Sequence, residues 1–184
     1  MLLGVMLLYV GAVLCINGIW LLGGTREETS ALYIQGREVS VINLFTGFVG
    51  IVTATTLLVQ GNRDGDLASV RGGGFILLFA FTYLWVALNA FLNAGGRAFG
   101  WYCLFVALTA VPAGIFTLND ANGNDASIYL GIDWFAWAIL WFLFFLLLAL
   151  DRPIARLAGS VAFIEGISTA WVFGFLLLEN KLAF

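Results

Sequence analysis

Histidine is absent from all 184 residues. Its absence removes the commonest catalytic base, the usual nitrogen ligand of a metal, and the only side chain that ordinarily changes charge near neutral pH. Charge of either sign is scarce as well. Asp, Glu, Lys and Arg make up 10% of the chain, against roughly 25% in a soluble domain, so water cannot be its only solvent. The net charge of −3 is too small to point to any charged partner, nucleic acid included. Cysteine is limited to Cys15 and Cys103, both inside apolar runs where disulfide chemistry has little access, so neither reports a redox compartment. No P-loop, metal-ligand spacing or nucleophile paired with a base occurs, which speaks against an enzyme and against a cofactor.

What is abundant is apolar surface: 62% of the residues are hydrophobic and the mean hydropathy is +1.01. Spanning the hydrocarbon takes about 20 apolar residues, and six such runs lie near 2–23, 39–60, 73–92, 99–118, 131–150 and 158–178. The fold expected is an all-α integral membrane protein of six transmembrane helices, a single transmembrane domain over 1–184. The first run has no basic flank and reads as a spanning helix rather than a cleaved signal. Polar breaks such as Gly23-Gly24-Thr25-Arg26-Glu27-Glu28 and Gly61-Asn62-Arg63-Asp64-Gly65-Asp66 separate the runs, and none is long enough to be a domain. Arg26, Arg37, Arg97, Arg152 and Arg156 fall in odd loops, and Arg63, Arg71 and Lys181 in even loops and the tail. This bias sets both termini on the outer side of the membrane and the odd loops in the cytoplasm.

The even-numbered runs share a pattern. Gly50-Ile51-Val52-Thr53-Ala54 recurs as Gly166-Ile167-Ser168-Thr169-Ala170, and Thr109-Ala110 repeats the Thr-Ala pair. Three repeated two-helix hairpins would produce this, and the small residues also form ladders that let helix backbones approach closely.

Glu165 stands alone near the middle of the sixth run, in Phe163-Ile164-Glu165-Gly166-Ile167-Ser168-Thr169-Ala170-Trp171. A charge at that depth costs a few kcal/mol on insertion scales, so the side chain faces protein or water rather than lipid. It either serves the function or ties two helices together by a hydrogen bond. In the fifth run Trp134, Trp137 and Trp141 recur at spacings of three and four on one helix face. An interfacial belt accounts for Trp134 but less well for Trp141, two turns deeper. An indole there must pair its N–H or line a wet path, and the stripe reads as pore lining. Phe79 and Tyr83 share a face of the third run, and Leu7, Val10 and Leu14 form an aliphatic stripe in the first that, taken alone, is ordinary core.

Several separate motifs, in order, carry a resemblance: Leu8-Tyr9-Val10-Gly11, Asn17-Gly18, Phe81-Thr82-Tyr83-Leu84, Trp101-Tyr102-Cys103-Leu104-Phe105-Val106-Ala107, Pro112-Ala113, Trp137 to Trp141, and Ile164-Glu165-Gly166-Ile167-Ser168-Thr169-Ala170-Trp171. Together they resemble the AmiS/UreI family of bacterial urea and short-chain amide channels, across all six runs. The resemblance implies three repeated hairpins with both termini outside, six protomers in a ring around lipid in the bacterial inner membrane, and one pore per protomer. It also implies pore-lining roles for Leu7, Val10, Leu14, Phe79, Tyr83, Trp137, Leu140, Trp141 and Glu165. The chain departs from that pattern in two ways. Leu130 and Asp133 stand where a urea-conducting member carries a further Trp and an Ile, and the even loops hold Asp64, Asp66, Asp120 and Asp125 but no His. The expected function is passive passage of urea or a small amide such as acetamide, without acid gating. A proton-coupled transporter using Glu165 is the alternative, and a scaffold without transport leaves the Trp stripe unused.

Overall fold

The computed structural model describes residues 2–24, 26 and 28–184, so Thr25 and Glu27 of the first polar break lie outside the described residues. Six helices are long and apolar enough to cross a membrane: α1 (Leu2–Gly23), α2 (Gly36–Asp64), α3 (Leu67–Leu92), α4 (Arg97–Asn119), α5 (Asp125–Leu148) and α6 (Ala155–Leu178). Together with the comparisons given below, they make this a multi-pass membrane protein. No strand occurs among the described residues.

Several helices run past the apolar runs that announce them. α2 starts at Gly36 because Gln35 and Glu38 close a capping box, Glu38 Oε2 accepting from the Gln35 N–H at 2.9 Å. It continues through Asn62, Arg63 and Asp64, and stops where Gly65 takes a left-handed conformation at φ 69°. α3 then begins at once, with the Asp66 carboxylate accepting from the Ala68 N–H as an N-cap. The second polar break is therefore a two-residue turn rather than a six-residue loop.

Close packing pairs each even helix with an odd one. Cβ atoms added at Gly47 and Gly50 of α2 would strike Leu84 and Ala80 of α3, and one at Gly73 of α3 would strike Ala54 and Leu58 of α2. Gly100 and Gly114 of α4 meet Ala149 and Trp134, while Gly131 of α5 meets Leu118. Gly11 and Gly18 of α1 lie against Trp171 and Gly159 of α6, and Gly166 and Gly174 return the contact to Leu14 and Leu7. The tight pairs are thus α2 with α3, α4 with α5, and α6 with α1, one helix out of step with hairpins counted from the N-terminus. Small residues make these approaches possible, since van der Waals contact rather than the hydrophobic effect holds helices together in lipid. Outward faces carry Phe45, Phe48, Val52, Phe105, Leu108 and Phe116, all apolar and all more than half exposed.

One polar pair locks the α1–α2 junction. Asn17 and Asn43 are buried and exchange side-chain amide bonds at 3.2 and 2.8 Å, and Asn43 Nδ2 also reaches the Val39 carbonyl.

Candidate functional site

A cavity of about 590 Å³ lies inside the bundle, far larger than the ~30 Å³ share of one water. Its walls come chiefly from the odd helices: Met6, Leu7, Val10 and Leu14 of α1, Phe75, Ile76, Phe79 and Tyr83 of α3, and Leu130, Trp134, Trp137, Leu140 and Trp141 of α5. From Leu2 to Leu14 it follows α1 for roughly 18 Å, more than half of a ~30 Å hydrocarbon layer. Its mouth lies at the end that carries both termini, where Leu2, Ser69, Arg71, Thr117 and Phe184 meet. There Arg71 approaches Asp120 at 3.9 Å, both well exposed, so the pair contributes at most about 1 kcal/mol.

The three indoles converge on one ring. Phe79 stands 5.5 Å from Trp134, 5.3 Å edge-on from Trp137 and 5.9 Å stacked with Trp141, and Phe75 adds an edge contact to Trp134 at 5.1 Å. Spacings of three and four on α5 put the indoles on one face, and α3 meets that face with residues one turn apart. The lining is therefore aromatic where α3 faces α5.

Behind this wall α6 changes its winding. The α-helix Ala155–Glu165 gives way to a π-helical turn over Gly166–Trp171, ending where the Val172 N–H reaches the Ile167 carbonyl, before α-helix resumes. Such turns concentrate at functional sites because they displace side chains and loosen carbonyls from the regular ladder. Here the loosened segment attracts the local donors. Ser168 Oγ donates to the Ile164 carbonyl, Thr169 Oγ1 donates to the Glu165 carbonyl at 2.7 Å, and the Tyr129 hydroxyl donates to the Ser168 carbonyl. Trp137 Nε1 in turn donates to Thr169 Oγ1 at 2.9 Å, bridging α5 to the turn.

With those donors committed, three sealed side-chain atoms among the described residues have no partner: Asp133 Oδ2, Trp141 Nε1 and Glu165 Oε2. Asp133 is 2% exposed and Glu165 7%. A buried unpaired polar group costs about 1–3 kcal/mol, so a cluster of three calls for an occupant. Two acceptors and one N–H donor are the complement of an amide, which offers N–H groups and a carbonyl oxygen.

Of the residues singled out in the sequence, Leu7, Val10, Leu14, Phe79, Tyr83, Trp134, Trp137, Leu140 and Trp141 line the cavity. Glu165 does not appear among the described lining residues. It lies on α6, one turn before Thr169, joined to the wall through the Thr169–Trp137 bridge. Sequence reasoning passed over Phe75, although it lies one turn before Phe79 on the same face, and Thr169, which it read only as part of a packing ladder. No candidate metal site occurs among the described residues.

The sequence profile of the AmiS/UreI family transporters matches residues 2–181. A Mycolicibacterium smegmatis protein assigned as an amidate-substrate transporter is 39% identical over 179 residues, 97% of this chain and 77% of that one. The acid-activated urea channel of Helicobacter pylori strain J99 is 34% identical over 197 residues, 95% of this chain and 96% of that one. The crystal structure of the H. pylori urea channel superposes with a TM-score of 0.85 at 33% identity, covering all of both chains.

Proposed function

The chain belongs to the AmiS/UreI family, and on that premise we propose that it is a passive channel for urea or a short amide such as acetamide. The coarser assignment, a membrane channel or transporter of urea or amides, follows from relatives along nearly the full length. The observation that carries the finer one is the pairing of an aromatic slot with three unpartnered polar atoms, two acceptors and one donor. The slot strips a planar solute to single file between Phe79 and the indoles. Trp141 Nε1–H then offers a bond to its carbonyl, and Glu165 either accepts from its N–H or holds a neighbouring donor in place from behind the wall. An ion finds too few groups there to replace its hydration, whereas a neutral amide loses little.

In this reading Leu7, Val10, Leu14, Tyr83 and Leu140 complete the lining. Each protomer holds its own pore, six protomers form a ring in the bacterial plasma membrane, and the termini face outward. The loops at the mouth carry aspartates and no histidine, which supports passage without an acid gate. One observation favours a second reading, a proton-coupled transporter: Glu165 is buried behind the wall rather than on it, as a carrier site would be.

Stopped-flow light scattering on proteoliposomes separates the two. A channel gives urea and acetamide fluxes linear in concentration and indifferent to a proton gradient. Saturating flux driven by a proton gradient establishes the transporter, and no flux above empty liposomes for urea or any short amide overturns both.

A further inference from the structure

We propose that Asp133 is a second solute-reading residue, whose carboxyl accepts hydrogen bonds from the N–H groups of a passing amide. The inference rests on the channel reading above and adds a specificity determinant to it. Three observations carry it. Asp133 is 2% exposed in a protein with few acids, and Oδ2 is sealed without a partner. On α5 it is bracketed by cavity-lining residues, since Leu130 precedes it by three positions, Trp134 and Trp137 follow by one and four, and Leu140 follows by seven. Four donors near the α5–α6 seam are directed elsewhere: Tyr129 to the Ser168 carbonyl, Ser168 to Ile164, Thr169 to Glu165 and Trp137 to Thr169. No described donor reaches Asp133 Oδ2, and although Asp133 is not itself among the residues that line the cavity, the helix face it shares with Leu130, Trp137 and Leu140 borders that space.

Three contacts tie this stretch of α5 to α6. Trp137 Nε1 reaches Thr169 Oγ1, and the Tyr129 hydroxyl reaches the Ser168 carbonyl while its ring stacks on Phe173. Asp133 lies one turn from both Tyr129 and Trp137, and Glu165 lies one turn from Thr169, so both carboxyls belong to the same stretch of the α5–α6 seam. Two acceptors there favour solutes that carry N–H over those of similar size that lack it.

The test compares acetamide with N,N-dimethylacetamide in proteoliposomes, with folding and assembly followed by circular dichroism and size exclusion. Asp133→Leu is expected to lower the acetamide to dimethylacetamide permeability ratio about fivefold, the factor that corresponds to about 1 kcal/mol for one net hydrogen bond. Asp133→Asn keeps a carbonyl acceptor at the same place, and its ratio stays within about twofold of wild type on the same scale. Should the Leu variant fail to assemble, Asp133→Ala carries the same expectation. Equal ratios in the Leu and Asn variants, whether both lowered or both unchanged, overturn the assignment to Asp133 while leaving the channel reading intact. Absence of wild-type flux overturns the channel reading itself.

Discussion

Thr169 joins α5 to the wound-out turn of α6, and replacing it tests whether that bridge holds the slot in shape. Thr169→Val conserves side-chain volume and branching but deletes the hydroxyl. Two bonds go with it: the one Trp137 Nε1 makes to Thr169 Oγ1 at 2.9 Å and the one Oγ1 makes to the Glu165 carbonyl at 2.7 Å. Trp137 and Thr169 are each 6% exposed, so water does not replace either partner directly. Leaving a buried N–H unpaired costs about 1–3 kcal/mol in soluble proteins. Interhelical hydrogen bonds measured in a membrane protein average about 0.6 kcal/mol and reach about 1.7, because the chain unfolded in lipid also finds partners. The membrane reference is the appropriate one here, but the bridge is fully desolvated and shared by two bonds, which puts the loss near 1 kcal/mol, about fivefold in the unfolding equilibrium. Reversible unfolding in mixed detergent and SDS micelles reads that loss. Stopped-flow permeability reads a second consequence, because an untethered Trp137 ring turns against Phe79 and shifts the ratio of acetamide to urea flux. Ser168→Ala is the control, since its exposed hydroxyl serves only the Ile164 carbonyl and its loss stays within about 0.5 kcal/mol. A Thr169→Val protein as stable as wild type with unchanged permeability ratios would refute the bridge as a determinant of the slot.

Trp141→Ala removes one of the three indoles that meet Phe79 and should raise permeability to larger amides relative to urea; unchanged ratios in a correctly assembled protein return the stripe to packing. Glu165→Gln retains shape and hydrogen-bonding capacity and is expected to keep assembly and measurable flux, whereas Glu165→Leu damages one or both. Loss of transport in an intact Gln variant would favour the proton-coupled reading. Asn43→Leu breaks the reciprocal amide pair and strands Asn17, and should destabilise by about 1–3 kcal/mol in the same micellar assay. Flux should vary less than about threefold between pH 5 and 7.5, since the chain has no histidine to change charge in that window. At the mouth, the Ser69 hydroxyl and the Ala68 N–H hold the Asp66 carboxyl below its usual range. A depressed folded pKa gives a stabilising contribution that is complete above the unfolded value and lost only as pH falls through the folded one, here below about pH 4. A sharp rise in flux between pH 7 and 5 contradicts this, and its disappearance in Glu165→Gln would locate the sensor in the pore.

The helices themselves were legible because length and hydropathy suffice when the solvent is lipid; their ends were not. α2 and α3 extend through polar residues because capping at Gln35 and Asp66 satisfies backbone donors that an apolar window ignores. The Trp stripe was legible because spacing fixes a helix face whatever the partner. Which helix would face it was not, and Phe75 went unnoticed because an aromatic in an apolar run carries no local mark. The π-turn after Glu165 has no signature in Gly166-Ile167-Ser168-Thr169-Ala170-Trp171, and it ends where Gly11 of α1 lies so close to Trp171 that a Cβ there would come within 2.7 Å of its backbone nitrogen. Glu165 was singled out for its depth, yet depth alone could not say that Oε2 would be left without a partner.

The ladder of small residues and the acids of the site turn out to serve one arrangement. Gly11, Gly166 and Gly174 draw α1 and α6 into backbone contact, which places the π-turn of α6 directly behind the Trp137 face of α5. The turn then exposes carbonyls that capture the hydroxyls of Ser168, Thr169 and Tyr129. Had those hydroxyls remained free, they would have been the natural donors to Asp133 and Glu165, and the carboxyls would be ordinary structural acids. Because backbone oxygens compete for the same protons, the carboxyls keep acceptor capacity unused beside an apolar slot. An apolar slot alone passes whatever fits and sheds its water easily; unused acceptors lower the barrier specifically for solutes that bring N–H groups. On the channel reading proposed above, selectivity for amides depends on the hydroxyls staying bound to the turn as much as on the acids themselves, and the glycine contacts between α1 and α6 hold that turn in place.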